Sequence, residues 1–137
     1  MSKAEPTIQK YMTTLPYSIE AHENIVTAVD TMKKFNIRHL PVMRNGLLIG
    51  IISDRDVKLA ESIQGLDLNQ LLISDVCTEK PYAVSPDAPL KEVVKTMALK
   101  HYGSALIVSN GKLVGIFTTV DVCRALADII EQRFHDR

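Results

Sequence analysis

Sliding the chain against itself by 65 positions lays Ile8–Ala60 on Ile73–Ala125 without a gap, and fifteen of those 53 positions are identical. Chance at one in twenty would match about three. The identities fall in blocks: Pro16-Tyr17 on Pro81-Tyr82, Thr31-Met32 on Thr96-Met97, Asn45-Gly46 on Asn110-Gly111. Gly50-Ile51 and Asp56-Val57 likewise return as Gly115-Ile116 and Asp121-Val122. The chain is therefore one motif written twice, and a unit of about 60 residues cannot bury its own apolar surface alone. The copies, 1–66 and 67–137, are expected to pack together about a pseudo-twofold axis.

Each copy reads as β-α-β-β-α, a mixed α/β (α+β) pattern. A short extended piece, Tyr17–Ile19 or Tyr82–Val84, follows the Pro-Tyr pair. A helix comes next, with Ile25, Ala28, Val29, Met32 and Phe35 at helical spacing, and Leu90, Val93, Val94 and Met97 in its twin. Two strands then flank Asn45-Gly46 or Asn110-Gly111, the dipeptide that suits the two positive φ angles of a type I′ hairpin turn. A closing helix opens at Ser53 or Thr118. The strands Leu47–Ile52 and Leu113–Phe117 are apolar nearly throughout, as burial on both faces requires. Residues 61–72 join the copies.

Composition removes several classes of function. Sixteen basic residues balance sixteen acidic ones and Trp is absent, so neither a phosphate-tracking surface nor a base-stacking ladder is indicated. No apolar run approaches the length of a membrane span. The opening Met-Ser-Lys-Ala-Glu-Pro lacks the apolar stretch of a signal peptide, so a cytoplasmic location is expected. Two cysteines make no disulfide framework.

The clearest chemical repeat ends the hairpin: Gly50-Ile51-Ile52-Ser53-Asp54-Arg55-Asp56 and Gly115-Ile116-Phe117-Thr118-Thr119-Val120-Asp121. A buried strand runs into a helix N-terminus with a hydroxyl and a carboxylate three residues apart. That spacing makes a capping box, in which the hydroxyl caps the helix and the Asp answers back. The same geometry can serve a nucleotide: first-turn amides take phosphate oxygens, and an Asp can hold vicinal ribose hydroxyls.

Gly-h-h-[Ser/Thr]-x-x-Asp after a hairpin, Arg38-His39-Leu40-Pro41-Val42 before it, and Met12-Thr13 ahead of the first strand resemble the cystathionine β-synthase (CBS) domain family. The two copies resemble its tandem pair. The resemblance covers about 120 residues, in the right order and at matching spacing. It implies a non-catalytic module that binds an adenosyl ligand, AMP, ADP or ATP foremost and S-adenosylmethionine as a further candidate, in clefts between the repeats. One pocket would combine Thr118, Val120 and Asp121 with Thr13, Thr14, Tyr17, Ile19, Arg38, His39, Leu40 and Pro41. The other would combine Ser53, Arg55 and Asp56 with Thr78, Tyr82, Val84, Gly103, Ser104 and Ala105. Arg38 favours the Asp121 pocket for a phosphorylated ligand. The Asp56 pocket, with Gly103-Ser104 in place of Arg-His and Leu106 in place of Pro41, is expected to be weaker, different in ligand, or empty. The resemblance further implies a homodimer formed through helices, for which the apolar Asn24–Asn36 and Pro89–His101 are candidates, and a separate effector protein.

The remaining reactive residues suggest no catalysis. His22, His39, His101 and His135 show no metal-ligand spacing, and His22, His101 and His135 read as solvated or structural. Cys77 and Cys123 read as packing residues. No GxSxG, P-loop or GxGxxG is present. No enzyme activity, catalytic cofactor or metal is expected. The rival reading is a dimerisation scaffold with degenerate pockets.

Overall fold

The computed structural model describes residues 4–14 and 16–134. In chain order the elements are α1 (Ile8–Tyr11), β1 (Thr13–Thr14), β2 (Ile19–Glu20), α2 (Ile25–Phe35), β3 (His39–Arg44), β4 (Leu47–Ser53) and α3 (Asp54–Glu61). The same series then repeats: α4 (Ile73–Val76), β5 (Thr78–Glu79), β6 (Ala83–Val84), α5 (Leu90–Lys100), β7 (Ser104–Ser109), β8 (Lys112–Thr118) and α6 (Thr119–Phe134). His135 and the end of the tail lie outside the described residues.

Two compact units result. One runs from Pro16 to Pro81; the other joins the N-terminal segment bearing α1 and β1 to the chain from Tyr82 onward. In the Pro16–Pro81 unit the sheet order is β2-β3-β4-β5, with β2 parallel to β3 and the other neighbours antiparallel. Asn24 opens α2 by accepting a hydrogen bond from the Thr27 amide at 3.2 Å, and Asn36, at φ 52°, ends it in the left-handed region. The hairpin turn has φ 53° at Asn45 and 78° at Gly46, the two positive angles that Asn-Gly predicts. Ile25, Ala28 and Met32 of α2 pack with Leu40, Val42, Ile52, Val57 and Ile73.

The second unit is built the same way. Its sheet order is β1-β8-β7-β6, its turn has φ 52° at Asn110 and 77° at Gly111, and α5 ends at His101 with φ 60°. Ile8, Leu90, Val93, Met97, Ala105, Ile107, Phe117 and Ala125 form its core. Parity of the two cores follows from the duplication, because the same apolar positions recur 65 residues apart.

Two features differ from what periodicity suggests. First, α1, β1, α4 and β5 are too short to leave a periodic signal, and the strands among them cross the repeat boundary. Thr13 pairs with Ile116 and Thr14 with Gly115, while Thr78 pairs with Ile51 and Glu79 with Gly50. The opening strand of each sequence copy thus completes the sheet of the other copy's hairpin. Second, the apolar stripes of α2 and α5 are spent on their own cores, with Ile25, Ala28, Met32, Leu90, Val93 and Met97 all buried. Exposed large apolar side chains include Leu99 on the outer side of α5, Leu59 of α3, and Val120, Leu126 and Ile130 of α6. No described helix is long and apolar enough to cross a membrane.

Candidate functional site

Ser53 ends β4 and caps α3. Its Oγ accepts from the Asp56 amide at 3.2 Å, and Asp56 Oδ2 accepts from the Ser53 amide at 2.9 Å and the Ser53 hydroxyl at 3.0 Å. This reciprocal box fixes the carboxylate at the positive end of the helix. Asp56 Oδ1 accepts no hydrogen bond from any described residue, so one carboxylate oxygen stays available in a half-buried setting.

The hairpin brings two basic residues to the same place. His39 stands opposite Ser53 in the β3–β4 register, and the Asp54 amide donates to the Arg38 carbonyl at 2.8 Å. Burial pushes the His39 imidazole below its ordinary pKa; Asp56 pulls it up, Arg38 pushes it down and Asp54 pulls it up again. Arg38 and Arg55 are exposed. Thr78, on β5, lies across from Ile51, two residues before the capping serine. Leu40, Pro41 and Ile19 are buried in the unit's sheet. Tyr17 is half exposed and stacks on Phe35, with ring centroids 3.7 Å apart.

The Asp121 motif keeps only the carboxylate half of that box, and its carboxylate is closed. Oδ2 accepts from the Thr118 amide at 2.9 Å and the Thr118 hydroxyl at 3.3 Å. Oδ1 accepts from the Thr13 hydroxyl at 3.1 Å and from Arg124 Nη1 at 3.2 Å. Asp121 is only 3% exposed, and these donors compensate its burial. Tyr11 adds a further tie between α1 and α6 by donating to Asp128 at 2.5 Å. That bond, with burial and the Asp128 charge, pushes the phenol up to about 12.

The two units thus sort the sequence candidates. Thr13, Thr14, Thr118, Val120 and Asp121 share one unit with Tyr82, Val84, Gly103, Ser104 and Ala105. Tyr17, Ile19, Arg38, His39, Leu40 and Pro41 share the other with Ser53, Arg55, Asp56 and Thr78. Thr13 is drawn to Asp121 directly, whereas Arg38 and His39 flank the Ser53–Asp56 turn. Ser104 pairs with Thr118 as His39 does with Ser53, and Tyr82 faces Tyr102 at 5.3 Å. Sequence reasoning missed Arg124, although its i,i+3 spacing from Asp121 on a helix was a readable signal.

Neither thiol adds chemistry to these motifs. Cys77 is half-buried and its thiol is pushed up, chiefly by burial and then by Glu79 and Asp56, while Cys123 is exposed on α6. Among the described residues no group of three or more His, Cys, Asp or Glu side chains gathers to hold a metal.

Two hairpin–helix units, each ending in a hydroxyl-x-x-Asp turn, define a duplicated module. The CBS domain family model matches residues 8–62 and again 73–128, and the chain belongs to that family. CBS pairs are regulatory, non-catalytic domains. Among solved structures, a protein of Vibrio cholerae assigned to acetoin utilization (AcuB) is 26% identical. It superposes with a TM-score of 0.87 over 98% of this chain and 99% of its own. The CBS pair of protein MJ0100, in complex with 5′-methylthioadenosine and S-adenosyl-L-methionine, is 24% identical with a TM-score of 0.82, covering 91% of this chain and 98% of its own. CBSX2 of Arabidopsis thaliana, in complex with AMP, is 22% identical with a TM-score of 0.81, covering 90% and 97%.

Proposed function

We propose that this chain is a regulatory module whose hydroxyl-x-x-Asp turns bind an adenosyl ligand, AMP, ADP or ATP foremost and S-adenosylmethionine as the alternative within the class. The observation that carries the reading is the Asp56 carboxylate. Its Oδ2 is pinned by Ser53 while Oδ1 is left open at a helix N-terminus, with Arg38 and His39 alongside. An oxygen so held accepts a ribose hydroxyl without reorganising, and the first-turn amides with Arg38 suit phosphate. The fold's AMP-bound and S-adenosylmethionine-bound relatives support the ligand class. The Asp121 turn is proposed as the second anchor, where a ligand diol exchanges with the donors now on Oδ1. The bound module would signal from the cytoplasm to a separate effector protein as a homodimer, and the exposed apolar residues of α3 and α6 are its candidate contacts. Ligand acts there through different affinity for two conformations.

A second reading, a dimerisation scaffold, is favoured by one observation: the Asp121 carboxylate is already fully satisfied within its unit. A thermal-shift panel of AMP, ADP, ATP, NAD and S-adenosylmethionine separates the two. A ligand at 100 times its dissociation constant stabilises the native state by about 2.7 kcal/mol. A saturable shift with one of these supports the sensor; no shift with any up to millimolar concentration supports the scaffold.

A further inference from the structure

The two acidic turns are copies in sequence, yet they carry their cations in different places. The Asp56 turn has Arg38 at the hairpin start, Arg55 within the turn and Leu59 on the helix, three residues beyond the Asp. At the Asp121 turn the positions are reversed in chemistry: Gly103 and Ser104 stand at the hairpin start, and Arg124 stands three residues beyond the Asp. Arg124 reaches Asp121 Oδ1 at 3.2 Å, yet its side chain remains 71% exposed. Among the described residues its guanidinium bonds that one oxygen alone, through Nη1, so further donors face solvent.

We propose that Arg124 is the specificity-determining residue of the Asp121 site, selecting adenosyl ligands that carry a phosphate over those that do not. The inference rests on the adenosyl reading above. Asp121 Oδ1 is the oxygen a ribose diol would take, and Arg124 is the charged one of its two side-chain donors, Thr13 being the other. The guanidinium end of the pair is solvent-exposed, and a ribose hydroxyl that takes its place as donor to Oδ1 keeps the buried carboxylate satisfied. Once displaced, it remains within a side chain's length of the sugar and has no other partner among the described residues. A phosphate attached to that sugar gives it a dianionic, bidentate acceptor, a better partner than a carboxylate already shared with Thr13 and Thr118. A ligand with a thioether in place of the phosphate offers nothing in return for the displaced pair. Leu59 marks the contrast: the first copy has no cation at this helix position and carries Arg38 at the hairpin start and Arg55 within the turn.

The test is calorimetric titration of AMP and of 5′-methylthioadenosine into the wild type and into Arg124→Leu, both in an Asp56→Asn background that leaves the Asp121 site to be read. Leucine is the residue the first copy carries at the matching position, so the helix accepts it, and circular dichroism checks the fold. Loss of a charge-assisted bond predicts AMP binding weaker by about tenfold to a hundredfold. Binding of 5′-methylthioadenosine should be unchanged or tighter, and Arg124→Lys should recover part of the AMP affinity. Equal loss for both ligands, or no loss for AMP, overturns the role of Arg124 while the adenosyl reading stands. If the Asp56→Asn protein and the wild type both bind neither ligand, the adenosyl reading itself fails and this inference falls with it.

Discussion

The glycine of each hydroxyl-x-x-Asp motif is fixed by space rather than by turn geometry, and the two copies should respond unequally to a methyl group. At Gly50 a Cβ would lie 2.5 Å from the Thr78 carbonyl oxygen, 3.3 Å from its carbon and 3.2 Å from Cys77 Sγ. At Gly115 the nearest atoms are Met12 Sδ at 2.6 Å and Met12 Cγ and the Thr13 carbonyl oxygen, each at 3.1 Å. The methionine is flexible and can turn aside. The Thr78 carbonyl is backbone, so Gly50→Ala must push β5 off β4, where only Gly50–Glu79 and Ile51–Thr78 hold it. Overpacking costs about 1–3 kcal/mol, and a ladder hydrogen bond lost with it adds about 1 kcal/mol. Gly50→Ala should therefore cost about 3 kcal/mol and Gly115→Ala about 1 kcal/mol. For a domain of this size these correspond to Tm decreases of roughly 10 °C and roughly 4 °C. Urea unfolding followed by circular dichroism, at constant m, measures the difference. Equal costs, or a larger cost at Gly115, would refute the reasoning.

Other consequences are equally open to measurement. Phe117→Ala removes a side chain that is fully buried in the second core and should cost about 3–5 kcal/mol, whereas Leu126→Ala on the exposed face of α6 should stay within about 0.5 kcal/mol; comparable losses in urea unfolding would contradict the core assignment. His39 is held below its ordinary value of 6.5 in the folded state, so its contribution to stability is full above pH 6.5 and declines as the pH falls below it. Stability profiles from pH 7.5 to 5 should be flatter for His39→Asn than for the wild type; parallel profiles would count against a buried neutral imidazole. Cys123 is exposed while Cys77 is half-buried with its thiol pushed up, so Ellman's reagent should label Cys123 first. Mass spectrometry of the singly labelled protein reads the order, and preferential labelling of Cys77 would overturn it.

Much of the fold was legible because duplication prints every signal twice. Asn45-Gly46 and Asn110-Gly111 marked both hairpins, and the apolar spacing of Ile25 to Phe35 and Leu90 to Met97 marked both first helices. The Ser53-x-x-Asp56 and Thr118-x-x-Asp121 spacings marked where the closing helices begin. What escaped was short or long-range. β1 and β5 are two residues each, and no local pattern tells a dipeptide to pair with a hairpin 65 or more residues ahead or with the one just completed. Gly50 and Gly115 held the clue, since each lies beneath a carbonyl of that short strand, but a strand glycine in sequence announces only that something is near. The hydroxyl-x-x-Asp turns were readable as geometry, whereas the closure of Asp121 by Thr13 and Arg124 was not. It depends on β1 reaching β8, and only Arg124 left a trace in helical spacing.

The central claim is that the Asp56 and Asp121 carboxylates anchor an adenosyl ligand, and calorimetric titration of AMP into the wild type, Asp56→Asn, Asp121→Asn and the double variant tests it most directly. The account predicts saturable binding to the wild type, loss of binding capacity in each single variant, and none in the double variant, with circular dichroism unchanged throughout. Undiminished binding by a folded double variant, or no binding by the wild type up to millimolar AMP and S-adenosylmethionine, would contradict it.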